Sequence, residues 1–113
     1  MAAWQWDYAY GQFGMARSDM AKGNKSLRLR LSDAYYDYLL KLQDDQLPEL
    51  YKEGFSELEK LFVWRHDFKC NSDHYREIVL SGVDYRKIRI SAEYIVDTAD
   101  RLSSDYLYFL EFE

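Results

Sequence analysis

Apolar residues recur along much of this chain at the spacing of one helical face. The clearest run is 47–66, where Leu47, Leu50, Tyr51, Phe55, Leu58, Leu61, Phe62 and Arg65 follow a 3.6-residue period, while Glu49, Lys52, Glu53, Ser56, Glu57 and Lys60 fall opposite. It predicts an amphipathic helix whose inner stripe is core. Pro48 fits its first turn, where a missing N–H costs nothing, and Asp44 or Asp45 can supply the preceding cap. Residues 26–43 place Leu27, Leu31, Ala34, Tyr35, Tyr38 and Leu42 on another stripe. Within them Leu27-Arg28-Leu29-Arg30-Leu31 alternates as a strand would, but a lone strand would leave its backbone unpaired, so helix is expected. Tyr85, Ile88, Ala92, Ile95, Ala99 and Leu102 predict a helix over 83–103. A shorter piece over 72–81 is opened by Asn71, Ser72 and Asp73 and stopped by Gly82.

Both ends are apolar nearly all round: Trp4, Trp6, Tyr8, Tyr10, Phe13 and Met15 first, then Tyr106, Leu107, Tyr108, Phe109, Leu110 and Phe112. A helix apolar on every side is buried centrally or covered by another chain. Either the two ends pack on one another inside the domain, or they make a homo-oligomer or partner interface. With five glycines and one proline, the chain has little material for the many turns of an all-β fold. The expected architecture is all-α: a compact bundle of four to five helices forming a single domain over 1–113.

Composition narrows the setting. At 113 residues and 48% hydrophobic, the chain can build one core without staples. Its single cysteine, Cys70, cannot make an internal disulfide and fits a reducing, cytoplasmic compartment. The first residues, Met1 to Asp7, lack the basic start and apolar run of a signal peptide. No uncharged apolar stretch reaches the ~18 residues of a membrane helix, so no membrane partner is expected. Net charge is -5, unevenly placed: residues 1–31 carry five basic against two acidic side chains, and the remainder ten against eighteen. An acidic balance disfavours general nucleic-acid binding, which rests on neutralising phosphates.

Three constellations could carry a function. His66, Cys70 and His74 stand four apart and include both histidines, with Asp67 or Asp73 near enough to complete a zinc-type donor set. Asn71-Ser72-Asp73, however, reads as a helix break that would splay His74 away. The basic segment Arg17, Lys22, Lys25, Arg28 and Arg30 could touch phosphates, or could complement the acidic remainder. Tyr35, Tyr36, Asp37 and Tyr38, with Asp44 and Asp45, combine rigid aromatic anchors with steering charge in a chain that holds eleven tyrosines. Carboxylates four apart, such as Asp33/Asp37 and Glu53/Glu57, read as solvated helix surfaces. No nucleophile elbow, phosphate loop or H-E-x-x-H occurs, so neither catalysis nor a cofactor is expected. The leading expectation is a non-catalytic protein-binding module, such as a small inhibitor, an immunity-type protein or a complex subunit. A nucleic-acid-associated subunit using residues 17–30 and a metal-binding protein using His66, Cys70 and His74 are the alternatives.

Overall fold

In a computed structural model, which describes residues 4–62 and 73–112, the helical periods become α1 (Asp7–Met20), α2 (Leu27–Ala34), α3 (Glu49–Lys60), the short α4 (Asp73–Ile78) and α5 (Tyr85–Phe112). Among the described residues there is no strand, and the chain forms a helical bundle measuring 45 × 28 × 23 Å. No described helix is long and apolar enough to cross a membrane.

The alternating segment 27–31 is helical. Ser26 caps it, its Oγ accepting from the Leu29 N–H at 3.2 Å, and Leu29 and Leu31 are both buried. The two arginines between the leucines reach back to the main chain: Arg28 donates to the Leu80 and Val83 carbonyls at 2.7 and 2.8 Å, and Arg30 to the Met20 carbonyl at 2.6 Å. After Ala34 the helix widens into a π-helical turn, Tyr35–Leu39, in which the Leu40 N–H donates to the Tyr35 carbonyl at 2.7 Å.

Two helix limits differ from the sequence pattern. Pro48 stands at the cap of α3, extended at ψ 146°, instead of inside its first turn, and Asp44–Gln46 form a separate 3-10 turn. The Pro48 carbonyl accepts from the Tyr51 N–H, so the start is made by backbone and not by an aspartate. Leu50, expected in the inner stripe, is 75% exposed, because Leu47, Tyr51, Phe55, Leu58 and Phe62 alone fill the buried face. Residues 63–66 lie outside the described part of the chain, as do Asn71 and Ser72.

The larger difference is α5. The stripe predicts a helix over 83–103, yet no glycine or proline interrupts the chain beyond it, and Tyr106 and Phe109 continue in phase with Ile95, Ala99 and Leu102. Capped by Asp84, whose Oδ1 accepts from the Arg86 N–H at 2.9 Å, the helix runs for 28 residues. It lies antiparallel to α1, with Tyr10 against Tyr106 and Arg17 bonded to Asp100. Between them sits the aromatic core: Phe13 meets Phe55 and Tyr94 edge to face at 6.3 and 5.9 Å.

Charge completes the packing of α2. Asp33 and Arg76 are each 9% exposed at the side chain and pair at 2.9 Å. Lys25 holds the second Asp33 oxygen at 2.9 Å, and Arg76 extends its other nitrogen to Asp37 at 2.9 Å. Burial opposes ionisation of Asp33, but hydrogen bonds from Lys25 and Arg76 outweigh it and hold its carboxyl below the ordinary value near 3.8. Removing one member of a buried pair strands the other's charge, so Arg76→Met should cost about 3 kcal/mol in urea unfolding at neutral pH. Because the folded-state value is depressed, Asp33's contribution is complete above about 3.8 and is lost as pH falls through that lower value. Asp33→Asn should therefore be less stable than wild type at neutral pH, and the gap should close in acid unfolding series below that point.

Candidate functional site

Among the described residues, α5 carries most of the large apolar side chains that stay exposed. Trp4 packs on Tyr106 and Phe109, with ring centroids at 5.3 and 6.1 Å, and Tyr10 on Tyr106 at 4.9 Å, so the two apolar ends do meet. They meet at one end of the bundle and on one side of α5 only. Leu107, Tyr108, Leu110 and Phe112 are 63, 66, 54 and 65% exposed, with the Tyr108 and Phe112 rings tilted against each other at 4.4 Å. Beside them Trp4, Trp6, Pro48, Asp105 and Phe109 help enclose a hollow of about 380 Å³.

That hollow opens onto the seam between α3 and α5. Here Leu50, Glu53, Glu57, Ile90, Asp97 and Arg101 border a second hollow of about 390 Å³, floored by Gly54 and Tyr94. A third, bordered by Leu50, Arg101, Ser104 and Asp105, shares walls with both, so the three form one trough. Ile90 and Leu50 stand at its edge, 59 and 75% exposed. The seam exists because Gly54 brings α3 against a ring: Tyr94 lies flat over the glycine, and its hydroxyl donates to the Tyr51 carbonyl at 2.7 Å. Tyr51 in turn donates to Asp105 at 3.3 Å. Burial pushes both phenols up, with Asp105 adding to the effect at Tyr51, so both stay protonated and act as hydrogen-bond donors at neutral pH. Along the trough Glu53, Glu57, Asp97 and Asp105 outnumber the one cation in its lining, Arg101; Glu57 also pairs with Lys60 at 2.9 Å, and Asp100 with Arg17.

The residues singled out from the sequence fall elsewhere. Tyr35 is fully buried and stacked on Phe62 at 4.1 Å, so it belongs to the core and not to a docking surface. Tyr36 is half-buried, edge-on to Phe62 and with the Arg76 guanidinium 5.7 Å from its ring centre. Asp37 is tied to Arg76, and the Tyr38 carbonyl accepts from Gln12 at 2.8 Å. Asp44 and Asp45 are exposed in their 3-10 turn.

In the basic segment, Arg17 bonds Asp100, Lys22 bonds Asp19 and Lys25 bonds Asp33, while Arg28 and Arg30 hold main-chain carbonyls. Of His66, Cys70 and His74, only His74 falls in a described element, α4; the other two lie outside the described residues. Among the described residues no group of three potential ligands is gathered for a metal. The trough was missed because its walls come from helices distant in sequence. Its local signals were Leu50, apolar but on the shoulder of the α3 stripe, and the all-round apolar run that ends α5.

Comparison with protein-family models, with curated proteins and with solved structures finds no match to this chain.

Two glycines test the seam. A methyl on Gly54 would collide with the Tyr94 ring, whereas one on Gly11, in α1, meets nothing within 4 Å. Alanine gains up to about 1 kcal/mol over glycine in a helix interior. Gly11→Ala should thus stabilise by about 0.5–1 kcal/mol, and Gly54→Ala should destabilise by about 1–2 kcal/mol despite the same backbone gain, both read from urea unfolding midpoints.

Proposed function

We propose that this chain is a non-catalytic protein-binding module, of the kind that neutralises a partner or joins it to a complex, and that it docks through the outer side of α5. One observation carries the reading: Leu107, Tyr108, Leu110 and Phe112 lie more than half exposed on two successive turns of a single helix, next to an aromatic hollow. Scattered exposed apolar residues are ordinary, but Tyr108 and Phe112 pack on each other beside the hollow and are edged by Asp105, which is the anatomy of an interface. Tyrosine and phenylalanine held on a rigid helix lose little freedom on binding, which makes them efficient anchors. The acids beside them supply steering toward a partner of opposite charge.

The reading moves the binding face away from Tyr36 and Asp37, whose side chains meet Phe62 and Arg76. A nucleic-acid role for residues 17–30 has less support, since phosphates would have to displace bonds that Arg17, Lys22, Lys25, Arg28 and Arg30 already make. The lone cysteine accords with a cytoplasmic setting.

The test is affinity capture from the native host with wild type and with Tyr108→Ser/Phe112→Ser, read by mass spectrometry. Both side chains are about two-thirds exposed, so the variant's unfolding midpoint should stay within about 0.5 kcal/mol of wild type. A partner held by wild type should be lost by the variant. Undiminished capture by a folded variant would exclude this face.

A further inference from the structure

We infer that the trough between α3 and α5 seats a basic amphipathic helix of the partner, an inference that rests on the protein-binding reading above and names the partner's chemistry. Length is the first argument. From Ile90 to Phe112 the α5 wall spans 23 residues, about 34 Å at 1.5 Å per residue, which matches a helix of about 20 residues lying alongside.

Pattern is the second. Ile90 offers an apolar contact at one end, Leu50 part-way along, and Tyr108 and Phe112 at the other end. A helix bound in a groove reads such contacts with side chains three and four apart on its own apolar face. Charge is the third, and it selects the occupant. Glu53 and Glu57 stand four apart on the α3 bank, and Asp97 and Asp105 eight apart on the α5 bank; Glu57 shares its charge with Lys60 in a solvent-screened pair, so lysines or arginines flanking the apolar stripe would still meet carboxylates on both sides.

The same charges disfavour the competing occupants. In a symmetric dimer this face would meet itself, setting carboxylates against carboxylates. The cations of a second copy's basic segment are already bonded within their own chain. Nucleic acid and anionic lipid would be repelled by Glu53, Glu57, Asp97 and Asp105.

The experiment uses the full chain and two synthetic, fluorescein-labelled helical peptides of about 20 residues, matched to the trough length. Both carry leucine at the inward heptad positions; one has lysine at the flanking positions and the other glutamate. The lysine peptide should bind, should weaken as salt rises from about 0.05 M to about 0.3 M, and should lose about tenfold or more in affinity with Glu57→Lys/Asp97→Lys. The glutamate peptide should not bind. Melting by circular dichroism checks the fold, and Glu57→Gln/Asp97→Asn provides a milder pair that should lose affinity in the same direction.

Equal binding of the two peptides, no binding of either, or affinity unchanged by the charge reversals would overturn the inference. So would a wild-type dimer on sizing that the reversals tighten, since that would identify a second copy as the occupant. The two readings separate cleanly. If Tyr108→Ser/Phe112→Ser loses the native partner while Glu57→Lys/Asp97→Lys keeps it, the binding reading stands and the basic-helix occupant falls. If the Tyr108/Phe112 variant also keeps the partner, the binding face itself falls.

Discussion

A helix of 28 residues is about 42 Å long, whereas α1 and α3, with 14 and 12 residues, reach only about 21 and 18 Å. Neither neighbour can cover α5 from end to end, and much of the molecule's shape follows from that mismatch. α1 lies along one flank and supplies Phe13 and Ala16 to the buried stripe; Trp4, just before it, extends the cover to the final turns. α3 lies along another flank but is held there by Gly54 under the Tyr94 ring and by the bond from Tyr94 to Tyr51. What neither reaches is left open: the outward faces of Leu107, Tyr108, Leu110 and Phe112, and the trough that leads to them. An exposed patch of this kind is a consequence of length before it is a matter of composition.

The uneven charge of the sequence is largely resolved within the fold. The positive first third is drawn against acids farther along, Arg17 to Asp100 across 83 residues and Lys25 to Asp33 across eight. The exposed Arg17 pair adds little stability, since solvent screens it, but the pairings still determine which charges remain unopposed. Those left along the trough are mainly negative. Exposed aromatic side chains and an excess of carboxylates therefore coincide on one side of the molecule, the side proposed above for binding.

Much of the fold was legible in the sequence because periodicity reports burial directly. The stripes Leu47 to Phe62 and Ile88 to Leu102 became buried faces, and Gly82, at φ 115°, ended the α4 region where its missing Cβ permits that backbone. The features that were not legible depend on tertiary context. Ser103-Ser104-Asp105 has weak helix propensity, yet Tyr106 and Phe109 found Trp4 and kept the helix going. Tyr35 and Tyr36 are adjacent and alike in sequence, and only the packing of Phe62 at the π-helical turn makes one of them core and leaves the other half-buried. The candidate site was the least legible part. Its apolar end could be seen as a run of Tyr, Leu and Phe, but the acidic banks are assembled from α3 and α5, whose separation in the chain hides their proximity in space.

The Asp33–Arg76 pair joins residues 43 apart, so it can form only after a loop of that length has closed, at an entropic cost that rises with the logarithm of loop length. The helices and their short-range contacts have no such condition on their formation. A contact completed late in folding is absent from the transition state, and its free energy then appears in the unfolding rate. Together with the still longer closures between α1 and α5, such as Arg17 to Asp100, the buried ion pair is expected to set how long the folded chain persists and not how quickly it forms.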